Sequence, residues 1–327
     1  MARVLITGAA GFIGMHTTIR FLKEGWDVIG IDNFNSYYSV NLKRKRVVEI
    51  KKKAAEYRGN FIIHERDINS DFWNSLKDTK IDALIHLAAQ AGVRYSIENP
   101  REYLNTNVLG FHSVLEFVAQ NHIDNFIYAS SSSVYGKRAD QPFEEDMRCE
   151  SPESYYAATK KMNELMAHSL FRTSNVSSIG LRFFTVYGPW GRPDMAPMIF
   201  ANAAFQNEQI KVFNMGNQKR DFTYITDVVE AIYSLCWNNG KGELSYPHCD
   251  IFNIGNSEPV NLMDFIQTIE TNLAIEIEKR FLPEQPGDVQ ETFSNTDKLN
   301  QVIGFRNKVK IQDGIPKFID WYVNYKK

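Results

Sequence analysis

The sequence predicts an α/β chain built on a doubly wound parallel sheet, with a smaller α/β lobe interleaved through its second half. Three observations carry this. Short apolar runs alternate with helical stretches through the first half, the pattern of parallel strands joined by right-handed crossovers. Several of those runs are apolar almost throughout, as strands covered on both faces must be. The first run ends in Thr7, and Gly8, Gly11 and Gly14 follow at G-x-x-G-x-x-G spacing before a helical pattern starts near Met15.

The elements follow in order. Strands are predicted over Arg3–Thr7, Asp27–Asp32, Asn60–Glu65, Ala83–Leu87, Asn125–Ser130 and Ser178–Phe184. Helices lie between them, including Leu104–Asn121 and Ala157–Thr173. Lys43–Lys53 is rich in Lys and Arg; it reads as a solvated helix face rather than a nucleic-acid patch, with Val47, Val48 and Ile50 to dock it. After Tyr187 the texture changes, because Gly188-Pro189-Trp190-Gly191-Arg192-Pro193 cannot continue a sheet. A helix over Met198–Gln206 and a short strand over Ile210–Phe213 come next. Thr226–Trp237 reads as a helix capped by Thr226 or Asp227. Asp250–Ile254 returns to strand character, and Leu262–Leu273 and Ile311–Tyr325 are helical. The reading assigns residues 1–185 and 223–256 to a dinucleotide-binding (Rossmann) domain, and 186–222 and 257–327 to the lobe that binds the other substrate.

Composition narrows the function classes. The 327 residues carry 37 basic and 39 acidic side chains, a formal charge of −2, so no whole-chain attraction to nucleic acid or anionic membrane is expected. No apolar run is long enough for a transmembrane helix. The first strand starts within a few residues of Met1, leaving no room for a signal peptide. Three cysteines without C-x-x-C spacing suit reduced thiols in a cytoplasmic protein, and no metal site is expected.

The glycine turn has a chemical meaning. Glycine lets the backbone turn sharply and approach a ligand closely, and the first amides of the following helix favour an anion. The pyrophosphate of a dinucleotide fits, with Phe12 and Ile13 in the same turn. Asp32 ends the second strand about 20 residues on, the reach to an adenosine ribose. Its carboxylate would repel a 2′-phosphate, and Asn33-Phe34-Asn35 offers no Arg to bind one. NAD is therefore expected rather than NADP.

Two further segments carry hydroxyls. Ser130 to Ser133 leave the carboxyl edge of a strand ahead of Val134-Tyr135-Gly136, where ligands sit in open α/β sheets. In Ser154-Tyr155-Tyr156-Ala157-Ala158-Thr159-Lys160, Tyr156 and Lys160 share a helix face, whereas Tyr155 has Thr159 at the same offset. A phenol with a pKa of about 10 needs nearby positive charge to act as a base at neutral pH. A surface Tyr–Lys pair has the same spacing.

Taken together, these segments resemble the extended short-chain dehydrogenase/reductase family over almost the whole chain. Its T-G-x-x-G-x-x-G fingerprint is Thr7–Gly14, and its acidic ribose contact is Asp32, followed by Asn33. Its adenine-side pair is Asp67-Ile68, its H-L-A-A segment is His86-Leu87-Ala88-Ala89, and its structural Asn is Asn107. The resemblance implies Ser131, Tyr156 and Lys160 as catalytic residues, with Ser132 the alternative to Ser131. Within the family the chain resembles the nucleotide-sugar epimerases, most closely the UDP-glucuronate 4-epimerase group. Gln90–Ser96, Arg182–Met195, Lys219–Ile225 and Gln285–Val289 carry that likeness.

The resemblance implies a cofactor recycled in each turnover. Tyr156 takes the O4 proton, Lys160 holds the cofactor ribose and lowers the Tyr156 pKa, and Ser131 steadies the ketone at C4. Arg220 is expected at the diphosphate, Asp288 at the nucleoside ribose, and Phe213 near the uracil or in the core; Arg94 and Gln285 complete the substrate set. Arg192, with Thr185, Ser132 and Ser133, is expected to hold a sugar carboxylate, since its fork matches one; a salt bridge within its own loop is the alternative. Ser132 and Ser133 stand where related dehydratases and decarboxylases carry an acid, so elimination lacks its general acid/base. The alternatives are another nucleotide-sugar 4-epimerase acting on UDP-galactose or a UDP-N-acetylhexosamine, a UDP-glucuronate decarboxylase, or a sensor of NAD and nucleotide sugar without turnover. A homodimer is expected through Leu104–Asn121 and Ala157–Thr173, with Leu115, Val118, Leu165 and Leu170 either lining the seam or packing on the sheet.

Overall fold

The computed structural model describes residues 1–138, 140–174, 176–237, 249–284, 291–304 and 309–327. The first half runs β1 (Arg3–Thr7), α1 (Phe12–Lys23), β2 (Asp27–Asp32), α2 (Val40–Glu56), β3 (Phe61–Glu65), β4 (Ala83–His86), α3 (Val93–Glu98), α4 (Pro100–Tyr103), α5 (Gly110–Gln120), β5 (Phe126–Ser131), α6 (Tyr155–Ser174) and β6 (Ser178–Phe183). The second half follows with β7 (Thr185–Tyr187), α7 (Ala196–Gln206), β8 (Ile210–Val212), β9 (Lys219–Tyr224), α8 (Ile225–Trp237), β10 (Cys249–Ile254), β11 (Pro259–Asn261), α9 (Leu262–Leu273), β12 (Lys279–Phe281), β13 (Glu291–Thr292), α10 (Asp297–Ile303) and α11 (Ile311–Lys326).

The main sheet is parallel throughout, in the order β10-β6-β5-β4-β1-β2-β3. The chain winds outward from β1 through β2 to β3, then returns to β4 on the other side. The reversal opens a crevice at the carboxyl ends of β1 and β4, where Thr7 stands opposite both Ile31 and His86. Val4, Leu5 and Ile6 are fully buried because helices cover both faces. One face packs on α1 and α8 through Phe21, Leu22, Ile232 and Leu235; the other packs on α5 through Phe111, Val114 and Phe117. The lobe is built on β9, which pairs with β7, β11 and β13, and on the separate pair β8–β12.

Several expectations are corrected. The single helix foreseen over Leu104–Asn121 is interrupted by a π-helical turn at Leu104–Leu109. Asn107 lies inside it, and Gly110 follows where an added Cβ would sit 2.5 Å from the Ile68 side chain. Local expansion lets the chain satisfy these tertiary contacts. Val48 does not dock α2, being 67% exposed; Val47 and Ile50 do, and Lys43 and Arg46 are buried with them. α8 starts at Ile225, and the carboxylate of Asp227 accepts from the Val309 amide at 3.1 Å. Leu115 and Val118 pack in the chain's own core, the alternative that the sequence left open for them. Leu170 packs against the same core, whereas Leu165 is exposed. Among the described residues, no helix is long and apolar enough to cross a membrane.

Gly14 is the tightest point of this frame. A Cβ there would stand 2.0 Å from the Gly8 carbonyl oxygen, a backbone atom that cannot rotate away. Gly14→Ala is expected to lower unfolding stability by about 3 kcal/mol, read as a drop in the denaturation midpoint at constant slope.

Candidate active site

The carboxyl edge of the sheet gathers the expected cofactor residues. Gly8 turns at φ +72, where a Cβ would meet the Ala88 amide nitrogen at 2.7 Å, so the first strand's end lies directly on Leu87-Ala88. The Leu87 amide donates to the Thr7 carbonyl at 3.1 Å, and the Ala88 amide to the Thr7 hydroxyl at 3.2 Å. Ala89 follows, half-buried. The helical ladder of α1 begins with the Met15 amide on the Gly11 carbonyl at 3.0 Å. The amides of Phe12, Ile13 and Gly14 therefore lie at the open end of the dipole. The Phe12 ring is buried and Ile13 packs against the core.

Asp32 is held from both sides. One carboxylate oxygen accepts from the Ala10 amide at 3.1 Å, the other from the Phe34 amide at 2.9 Å. Burial raises its pKa, while those amides and the cations Lys43 and Arg46 pull the other way. Each oxygen keeps a lone pair for a ribose hydroxyl. Asn33 donates to Asp67 at 2.8 Å, which joins the two expected adenine-side segments, and Ile68 is buried behind them. The touching glycines, the open helix end and the doubly held Asp32 fit NAD.

Asn107 is a clamp for the backbone. It accepts from the Gln90 amide at 2.8 Å and donates to the Gln90 carbonyl at 2.9 Å and to the Thr159 hydroxyl at 3.1 Å. Its own carbonyl accepts from Asn163 at 2.6 Å. The loop after β4 is thereby tied to α6, which carries Tyr156 and Lys160.

Ser131, at the end of β5, hydrogen-bonds the Tyr156 phenol, and its hydroxyl lies 3.1 Å from that of Ser133. Ser132 and Ser133 open a short 3-10 turn beside it. Of the two serines, Ser131 is the one whose hydroxyl lowers the Tyr156 pKa. Burial raises the Tyr156 pKa; the Ser131 hydroxyl and the Arg192 charge lower it. The Lys160 ammonium is not among the charges that lower it in this structure. It is fully buried, donates to the Ala129 carbonyl at 2.8 Å, and desolvation lowers its own pKa to about 7.

Arg192 stands near Tyr156, but Asp194 already engages its fork: Nε donates to Oδ1 at 3.1 Å and Nη2 donates to Oδ2. Thr185 is half-buried at the start of β7, opposite Phe222. Arg94 lies over the Phe213 ring at 5.0 Å from its centroid, so these two are brought together at the lobe. Arg220 lies in β9 and donates to the Lys219 carbonyl at 2.9 Å. Gln285 and Asp288 lie outside the described residues.

Sequence reasoning missed three supports. Tyr103 is fully buried with its ring edge-on to Tyr156, 5.9 Å between centroids, and its hydroxyl donates to the Gly92 carbonyl. His16 bonds the Pro189 carbonyl at 2.9 Å, and burial lowers its pKa to about 4. Arg46 donates to the Ala10 carbonyl at 3.1 Å, the Trp190 carbonyl at 2.7 Å and the Gly191 carbonyl at 3.1 Å. It joins the glycine turn to the segment bearing Arg192. Its place in a Lys- and Arg-rich run hid it; the apolar spacing of that helix offered no signal for a buried cation.

Residues 4–255 match the NAD dependent epimerase/dehydratase family. The chain is 46% identical to Protein CapI of Staphylococcus aureus, over 99% of both chains. It is 38% identical to a probable UDP-glucuronate 4-epimerase of Rhizobium meliloti, over 99% of this chain and 98% of the relative. Its structure is similar to that of the UDP-glucuronic acid 4-epimerase from Bacillus cereus in complex with UDP-glucuronic acid and NAD, with a TM-score of 0.89 at 31% identity over 99% of both chains.

His86 links this edge to acid stability. It is buried, bonds the Thr7 hydroxyl at 2.8 Å, and burial lowers its pKa from 6.5 to about 3. Below its ordinary pKa the unfolded chain takes up a proton that the folded chain refuses until the lower value, so stability is lost as pH falls through that window. The contribution at pH 5 is about 2 kcal/mol. His86→Gln is expected to flatten the acid limb of the stability profile by that amount in denaturant titrations.

Proposed function

Because the chain belongs to the NAD dependent epimerase/dehydratase family, we infer that it inverts C4 of a UDP-hexuronate, converting UDP-glucuronate to UDP-galacturonate through a 4-keto sugar. The observation that carries this reading is Tyr156, set between the Ser131 hydroxyl and the Arg192 charge on the edge that also presents the glycine turn. The UDP-glucuronic acid and NAD bound to the Bacillus cereus relative support it.

NAD, when bound, would supply the acceptor and the donor of the C4 hydride. Gly8, Gly11 and Gly14 receive its pyrophosphate, with Phe12 and Ile13 in the turn. Asp32 takes the adenosine ribose, with Asn33, Asp67 and Ile68 on the adenine side. Leu87, Ala88 and Ala89 flank the nicotinamide half, and Asn107 holds that loop in place. Tyr156 removes the O4 proton as C4 is oxidised and returns it on reduction. Ser131 donates to the C4 oxygen, and Lys160 holds the cofactor ribose. Arg220 and Asp288 anchor the nucleotide, Phe213 and Arg94 line its base end, and Gln285 completes the set. Thr185, Ser132, Ser133 and Arg192 hold the sugar carboxylate.

The acids around the serine turn argue against elimination. Glu164 accepts from Ser130 at 2.7 Å but is locked to Arg182 at 2.8 and 3.0 Å. Its pKa is lowered against the pull of burial, chiefly by Arg182, so it offers no proton to C5. The three cysteines are unpaired, which supports a cytoplasmic setting. A homodimer is supported by Leu109, Met162 and Leu165, 52%, 41% and 59% exposed on or beside the packed helices α5 and α6.

Incubation of the protein with UDP-glucuronate is expected to yield UDP-galacturonate by NMR, without net cofactor reduction; UDP-pentose or released CO₂ would reject the reading. Tyr156→Phe is expected to cut kcat by about 10³-fold while nucleotide-sugar affinity survives. Leu165→Glu is expected to halve the mass measured by light scattering.

A further inference from the structure

Turnover imposes a problem on Arg192 that the structure answers. The carboxylate sits on C5 and turns with the ring when the 4-keto sugar presents its other face. A cation that holds this carboxylate must therefore release it once in every cycle. A largely buried guanidinium left without an anion is strongly disfavoured, and one that never releases would block the turn.

We propose that Asp194 is a positioning residue that takes over the Arg192 guanidinium each time the sugar carboxylate leaves it. This rests on the reading of Arg192 as a carboxylate contact. Asp194 follows Arg192 by two residues, with Pro193 between them restricting the backbone, and it engages Nε and Nη2. The remaining nitrogen, Nη1, is left for an incoming carboxylate. Asp194 is itself anchored from the other domain, since the Tyr37 hydroxyl donates to its Oδ2 at 3.2 Å. Tyr37 packs on Tyr95 at 4.8 Å, Tyr95 on Tyr103 at 6.2 Å, and Tyr103 on Tyr156 at 5.9 Å between ring centroids. An aromatic wall thus runs from the Arg192–Asp194 pair to the phenol. Asp194 stays in place while the sugar moves, and Arg192 shifts between two carboxylates without losing both.

The test separates grip from turnover. In Asp194→Asn, KM for UDP-glucuronate is expected to fall and kcat to fall about tenfold, with 4-keto sugar building up in the steady state, read from the near-ultraviolet absorbance of the reduced cofactor. Affinity for UDP-glucose, which lacks the carboxylate, is expected to hold within about twofold by calorimetry. Tyr37→Phe shifts the same quantities in the same direction by less, and decides the matter if Asp194→Asn does not fold. A parental kcat, a raised KM, or an equal change for both nucleotide sugars overturns the proposal. Arg192→Gln distinguishes the two levels. If it weakens UDP-glucuronate no more than UDP-glucose, the carboxylate reading falls and the proposal with it. If it weakens UDP-glucuronate selectively while Asp194→Asn turns over at the parental rate, the handover alone falls.

Discussion

The contact between Gly14 and the Gly8 carbonyl is the constraint on which the rest is arranged. No side chain fits between them, so α1 can start directly against the end of β1. That closeness places Ala10 where its amide reaches Asp32 on β2 and its carbonyl reaches Arg46 on α2. It also leaves room for Leu87-Ala88 on the far side of Gly8. Three strand ends are thus drawn to one point by the absence of a single carbon on each of two residues. The parallel sheet supplies the direction and the glycines supply the proximity.

Much of this was legible in the sequence, for a physical reason. β1 and β2 fall on the expected residues because strands buried on both faces are apolar from end to end, and such runs have sharp limits. Counting back from V-Y-G singled out Ser131, which stands at the head of a short 3-10 turn. What stayed hidden was long-range. Nothing local marks Asn107 as the site of a π-helical turn, since its partners Gln90, Thr159 and Asn163 are distant in sequence. Charge content suggested that Arg46 faces water and apolar character that Val48 does not; tertiary contacts reversed both. The ion pair of Arg192 with Asp194 is the loop salt bridge that the sequence left open beside a carboxylate contact.

Electrostatically the centre is dry rather than charged. Burial pushes Tyr156 up and Lys160 down to about 7, so both resist ionisation in the same place. His86, pushed down to about 3, is neutral behind them. The serine hydroxyls and the nearby guanidinium do the opposing work. A centre of this kind suits a reaction in which one proton and one hydride leave and come back; among the described residues, Glu164, the acid beside the serine turn, is held by Arg182.

Arg46 grips the turn beneath the dinucleotide and the carbonyls just ahead of Arg192 with the same planar group. The glycine turn and the segment that carries Arg192 are therefore held as one mechanical piece. A catalyst that consumes its coenzyme must open to exchange it after each round; one that restores it in place has no such need. A rivet there suits a catalyst that leaves each round with its coenzyme in the state in which it began.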